Sequence, residues 1–260
     1  MDCINLATCL HRLAVLGEED GDAAAFAQRC LITNSTFQWL LENLVSAAAV
    51  PEFNSQSVAN SLTALAKLHC GSPQLAQALQ PPLLRCLQAT CSSDGGSCSG
   101  NLAATGPAAR GAGVPVRAAA SGGRGGEAFS ALGLSAAVHA LAKDWANCKP
   151  VFLALRHWIL RAVWAAMPYF DPQAVVMVTW SLAEATSGST SQEFALEADC
   201  PGFSAYLAAA GRHHAPAFGL QAVATIFSAC GRMRPQLCDA ALLQTLCNAA
   251  LRRWEALSVH

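Results

Sequence analysis

Three sets of polar, aromatic and basic side chains recur along the chain at a spacing of about 38 to 41 residues. Asparagine, threonine and serine can hydrogen-bond base edges, histidine and tryptophan can stack on bases, and lysine and arginine can contact phosphates. The candidate binding residues are Asn60, Thr63, Lys67, His139, Lys143, Trp180, Thr225, Ser228 and Arg232. The alternative interpretation is that these positions are solvated or pack between repeats.

The sequence gives no basis for expecting catalysis. It contains no phosphate-binding loop, zinc-protease motif or dinucleotide-binding fingerprint. The 12 cysteines form no C-x-x-C pair, and none has a histidine at zinc-finger spacing. We therefore expect no enzyme activity, no cofactor, no metal site and no small-molecule substrate, and we expect reduced, structural cysteines in a reducing compartment.

The composition predicts that helices position these residues. Alanine and leucine, which have high helix propensity, number 53 and 33 of the 260 residues, and only 13% of the chain is charged. The mean hydropathy is +0.32, but no window of about 20 residues is both apolar and free of charge. We therefore predict an all-α protein with a large core and no membrane insertion.

A repeated motif begins each predicted helix. Residues 51–58, 168–175 and 216–223 share the pattern P-x-F-x-x-Q-[SA]-V, and a looser copy begins at Phe129. The residue after each phenylalanine favours a helix N-cap, and the apolar residue four positions after the cap can close a hydrophobic staple onto the phenylalanine. First helices are predicted over 5–17, 58–68, 134–143, 175–184 and 223–232. Second helices are predicted over 26–50, 74–91, 150–167, 203–214 and 235–257, with a polar loop over 187–199.

The helix pairs predict an α-solenoid of about five stacked repeats, because isolated pairs cannot bury their apolar faces. Residues 1–91 form N-terminal repeats, and residues 128–260 continue the same solenoid. Between them, residues 92–127 are rich in glycine, alanine and serine, and we expect a disordered insertion there. The first repeat lacks its Pro-x-Phe and no capping repeat is evident, so we expect the chain to be a fragment of a longer protein.

These repeats resemble the octatricopeptide (OPR) repeat, whose first helix has the pattern P-x-x-F-x-P-Q-x-L-A-N-x-L-W-A-L-A-K-L. The copy from Phe53 to Leu68 is the most similar, and the copy that begins at Phe170 retains Pro172, Gln173 and Trp180. The copy at Phe129 lacks the glutamine, and the copy at Phe218 has Cys-Gly-Arg in place of Leu-Ala-Lys. The resemblance covers nearly the whole chain outside the insertion.

The resemblance implies a non-catalytic factor that binds single-stranded RNA in a chloroplast or mitochondrion and acts in transcript processing, stability or translation. Related organellar proteins carry a RAP domain, but nothing like it follows Leu257. No transit peptide is visible, so the cytoplasm is the other expected location. The net charge of −1 gives little attraction to phosphates. The alternative is a protein-interaction scaffold of the HEAT or armadillo type, without RNA binding.

Overall fold

The computed structural model describes residues 2–92, 127–190, 194, 196–233 and 239–258 of the chain. Most of these residues are helical and none of them is in a strand, which confirms the all-α prediction. The α-helices are α1 (Cys3–Glu19), α2 (Ala23–Phe26), α3 (Ser35–Ala48), α4 (Ser55–Leu68), α5 (Pro73–Ser92), α6 (Ala131–Lys143), α7 (Trp145–Ala166), α8 (Pro172–Ser187), α9 (Leu196–Asp199), α10 (Phe203–His214), α11 (Leu220–Arg232) and α12 (Ala240–Ser258). A π-helical turn spans Ala27–Leu31, and short 3₁₀ turns span Met167–Tyr169 and Ala215–Ala217.

The N-caps predicted from the repeated motif are confirmed. The side chains of Asn54, Ser130 and Asp171 accept hydrogen bonds from backbone N–H groups in the first turns of α4, α6 and α8, at 2.9, 3.1 and 2.7 Å. Gly219 caps α11 without a side chain. Both ends of each predicted hydrophobic staple are buried. They are Phe53 with Val58, Phe129 with Leu134, Phe170 with Val175, and Phe218 with Val223.

Two ordered series of helix contacts build the core. The first helices of the repeats touch one another in chain order, α1 to α4, α4 to α6, α6 to α8 and α8 to α11. The second helices do the same, α3 to α5, α5 to α7, α7 to α10 and α10 to α12. A single cluster of buried apolar side chains, from Cys3 to Ala249, fills the space between the two series.

The predicted insertion 92–127 falls almost wholly outside the described residues. Only Ser92, which ends α5, and Glu127 are described. On either side of it, α4 packs on α6 and α5 packs on α7, so residues before and after position 92–127 share one core. No helix among the described residues is long and apolar enough to cross a membrane.

Three of the predicted second helices have different bounds. The predicted helix 26–50 is divided, because the Asn34 side chain accepts from the backbone N–H groups of Thr36 and Phe37 at 2.9 and 3.1 Å and starts a new helix. The helix predicted to begin at residue 150 begins at Trp145, and Pro150 lies inside it. The helix predicted to begin at residue 235 is described from Ala240. The loop predicted over 187–199 includes the short helix α9.

Candidate binding surface on the first helices

All nine candidate residues lie on α4, α6, α8 and α11, and all are partly or fully exposed. Positions beside them on the same helices, such as Leu62, Leu65, Val138 and Leu182, are buried. Since the first helices touch in chain order, equivalent candidate positions on successive helices are brought next to one another. We call the nine residues the polar row.

The α4 part of the polar row contacts acidic and amide neighbours. Lys67 Nζ donates to Glu18 Oε2 of α1 at 2.8 Å. Gln56 Nε2 donates to Asn60 Oδ1 at 2.7 Å, one turn away on the same helix. The Lys67 charge is therefore compensated by the preceding helix, and Asn60 is held in a fixed orientation.

An aromatic pair joins α6 to α8 at the centre of the row. The rings of His139 and Trp180 have centroids 4.8 Å apart and are tilted by 54°. The Ser181 hydroxyl lies 3.5 Å from His139 Nδ1 and donates to the Met177 carbonyl oxygen at 2.6 Å. Such a pair offers a rigid apolar edge that can stack with a planar ligand.

Arg232 of α11 joins the last two first helices. Its guanidinium forms an ion pair with Glu184 of α8 and lies 5.8 Å from the centroid of the Trp180 ring. On the same helix, Thr225 Oγ1 donates to the Gln221 carbonyl oxygen at 2.8 Å. The Arg232 charge is thus compensated by Glu184, and the planar guanidinium of Arg232 lies beside the aromatic pair.

Lys143 is the third basic residue of the polar row, and it is exposed. It is the last residue of α6 and forms no ion pair with any other residue that the structure describes. Two of the three basic side chains predicted to contact phosphates are therefore engaged with carboxylates of the neighbouring helix. The surface has little net positive charge, in agreement with the low charge of the chain.

The histidines add no charge to the surface at neutral pH. Burial lowers the pKa of His139, and the nearby Lys143 lowers it further. Burial also lowers the pKa of His11, at the equivalent position of α1, with further contributions from Lys67 and Arg12. Both imidazoles are therefore neutral at pH 7, and a neutral ring can both stack and exchange hydrogen bonds.

Outside the row, four of the cysteines are poor nucleophiles because they are shielded from water. Burial raises the pKa of Cys70 and of Cys148 to about 12, and that of Cys86 and of Cys200 to about 11. Thiols with such values carry almost no thiolate at pH 7. Within the described part of the chain, no group of three or more histidine, cysteine or acidic side chains is arranged to hold a metal ion.

Two carboxylates that belong to the surface, Glu18 and Glu184, were not among the candidate residues: the sequence placed Glu184 on the same side of its helix, but it did not indicate Glu18. Glu184 occupies the same repeat position as Lys67, Lys143 and Arg232. This change from a basic to an acidic residue was the signal in the sequence that a neighbouring cation could be neutralised there. Glu18 lies one turn beyond the equivalent position in α1, and only the packing of α1 on α4 brings it to Lys67.

No family model, curated protein or solved structure matches this chain.

Proposed function

We propose that the chain is a non-catalytic factor that binds single-stranded RNA along the polar row and acts in organellar gene expression, in transcript processing, stability or translation. In this proposal the helix pairs form an α-solenoid. The ordered contacts of first with first helices and second with second helices support that arrangement. Location in a chloroplast or mitochondrion rests on the resemblance to OPR repeats alone.

The observation that carries the proposal is the His139–Trp180 pair, flanked by Arg232. Aromatic and guanidinium planes stack on unpaired bases, and each stacked base contributes about 1–3 kcal/mol. The uncharged hydroxyl and amide groups of Asn60, Thr63, Thr225 and Ser228 lie on both sides of this pair along the helix series and can hydrogen-bond base edges. Stacking, rather than phosphate attraction, therefore dominates the proposed binding.

The paired charges give the proposal a specific salt dependence. Each phosphate contact to a single strand contributes a slope of about −0.7 to the logarithm of affinity against the logarithm of salt concentration. Lys143 is the exposed cation of the row that forms no ion pair among the described residues, so the slope should be about −0.7. Lys143→Ala should bring it close to zero while leaving most of the affinity.

The test is a fluorescence anisotropy titration of end-labelled single-stranded RNA of mixed sequence at low salt. Trp180→Ala should weaken binding roughly 5- to 150-fold, the equivalent of one lost stacking contact. The matched control is Trp39→Ala, because Trp39 lies on α3 and is 49% exposed. The proposal fails if the wild-type chain shows no affinity, or if Trp39→Ala weakens binding as much as Trp180→Ala.

A protein-interaction scaffold of the HEAT or armadillo type is the second candidate function. The ion pairs Lys67–Glu18 and Arg232–Glu184 favour it, since they remove positive charge from the surface that would face RNA. A scaffold would bind a protein partner with the same affinity in the wild type and in Lys143→Ala, and it would leave labelled RNA unbound. The titration above separates the two functions.

A further inference from the structure

A serine faces the imidazole of His139 across the contact between α6 and α8. Ser181 on α8 is fully buried, and its Oγ lies 3.5 Å from Nδ1 of His139. A serine hydroxyl has a single hydrogen, and Ser181 donates it to the Met177 carbonyl oxygen at 2.6 Å. Towards His139 the hydroxyl therefore presents oxygen lone pairs and can only accept a hydrogen bond.

The Ser181 oxygen determines which nitrogen of His139 carries the hydrogen. In a neutral imidazole one ring nitrogen bears the hydrogen and the other bears a lone pair. An N–H group at Nδ1 is attracted to the lone pairs of Ser181 Oγ, whereas a lone pair at Nδ1 would be repelled by them. The ring therefore has its hydrogen on Nδ1, and Nε2 is left as a hydrogen-bond acceptor.

Nε2 of His139 is available to a ligand. It receives no hydrogen bond from any residue that the structure describes. It is also not one of the described side-chain atoms that are buried without a partner, so it is open to solvent. Burial, and then the nearby Lys143, lower the pKa of His139, so the Nε2 lone pair remains free of a proton at pH 7.

The other first helices have alanine at the position of Ser181. These equivalents are Ala64 in α4, Ala140 in α6 and Ala229 in α11. His11 of α1 occupies the position of His139, but it faces α4 and so lacks the serine. Nδ1 of His11 is buried without a hydrogen-bond partner among the described residues. Among the described first helices, the contact between α6 and α8 is therefore where a hydroxyl group orients an imidazole.

We infer, on the basis of the proposed RNA binding, that Nε2 of His139 accepts a hydrogen bond from the exocyclic amino group of a base at the His139–Trp180 pair, and that Ser181 positions this acceptor. Adenine, cytosine and guanine each carry such an amino group. Uracil lacks it, and its N3–H lies between two carbonyl oxygens that the Nε2 lone pair repels. The polar row therefore discriminates against uracil at this position.

Nitrogen-15 NMR of the intact chain, labelled in its histidines, tests the acceptor without RNA. At pH 7 the spectrum should show His139 with its hydrogen on Nδ1, and the signals should be assigned by their loss in His139→Phe. Ser181→Ala should shift the ring towards a mixture of both neutral forms. This variant should fold, because alanine occupies the equivalent positions of the other first helices. A hydrogen on Nε2 in the wild type, or an unchanged ring in Ser181→Ala, would overturn the role of Ser181.

Fluorescence anisotropy tests the base preference with two labelled strands of equal length. One is oligoadenylate, and the other is an oligomer of purine riboside, which differs only in lacking the 6-amino group. The wild type should bind oligoadenylate roughly 2- to 12-fold more tightly, the equivalent of one hydrogen bond. The ratio should fall to about one in His139→Phe, which keeps an aromatic ring, and it should decrease in Ser181→Ala. The matched control is His213→Phe on α10, which should keep the wild-type ratio because His213 is exposed and lies on a second helix.

The two strands also separate the base preference from RNA binding itself. Absence of binding to both strands would overturn the proposed RNA binding, and the base preference with it. Equal affinity of the wild type for both strands, or a preference that persists in His139→Phe, would overturn the base preference alone.

Discussion

Phe170 and Tyr169 are adjacent aromatic residues with opposite exposures, and they test the structural role of the repeated phenylalanine. Phe170 is 4% exposed, whereas Tyr169 is 55% exposed. Removal of a buried phenylalanine loses about 1.5–3 kcal/mol of transfer free energy, and the cavity brings the total to about 3–5 kcal/mol. We expect Phe170→Ala to lower the free energy of unfolding by that amount. Tyr169→Ala should change it by about 0.5 kcal/mol.

Urea unfolding followed by far-ultraviolet circular dichroism measures the two free energies, and thermal unfolding checks them. For a chain of this size each kcal/mol corresponds to about 2–4 °C, so the unfolding temperature of Phe170→Ala should fall by roughly 6–20 °C. Phe170→Leu, which retains most of the buried volume, should recover much of the loss. Equal decreases in the free energy of unfolding for Phe170→Ala and Tyr169→Ala would refute this reasoning, because they would show that burial of the phenylalanine in the staple does not stabilise the fold.

Two further predictions concern close packing and pH. Gly17→Ala should destabilise the fold by about 1–3 kcal/mol in the same urea assay. The new Cβ atom would lie 2.9 Å from the Cα of Ala23 and 3.0 Å from the Phe26 ring. An unchanged free energy of unfolding would mean that α2 moves freely away from α1. Burial lowers the pKa of His11, His139 and His214 in the folded state. The unfolded chain therefore binds more protons, and stability should be complete above the unfolded pKa of about 6.5 and fall as the pH drops below it. His139→Gln should flatten urea midpoints measured between about pH 7.5 and 5.5, and an unchanged profile would contradict the assignment.

The local features of the fold were predictable because each repeat encodes its own first turn. Asn54, Ser130 and Asp171 each follow a phenylalanine and precede an apolar helix, and all three form the expected caps. The division of the predicted helix 26–50 was missed, although Asn34 was a visible capping residue within it. An apolar period continues across such a cap, so periodicity alone could not place the break.

The ion pairs of the candidate surface could not be predicted in the same way. Lys67 and Glu18 are 49 residues apart in sequence, and Arg232 and Glu184 are 48 apart. Neither sequence separation identifies a contact, because the length of the side chains and the angle at which the helices cross determine which charged groups meet. The sequence predicted which residues share the exposed side of the first helices, but not which of them neutralise one another.

The packing of the first helices changes what each repeat can contribute to recognition. Lys67, Lys143, Glu184 and Arg232 occupy equivalent positions, and in isolation the three basic residues would each attract a phosphate. Once the helices are in contact, Arg232 meets Glu184, and Lys67 meets Glu18 of the preceding helix. A binding site built from such positions takes its charge from pairs of neighbouring repeats rather than from single ones. Discrimination between ligands must therefore come from the uncharged and aromatic positions. The His139–Trp180 pair lies at their centre, and among the described residues its ring and hydrogen-bond contacts are with each other, Ser181 and Arg232.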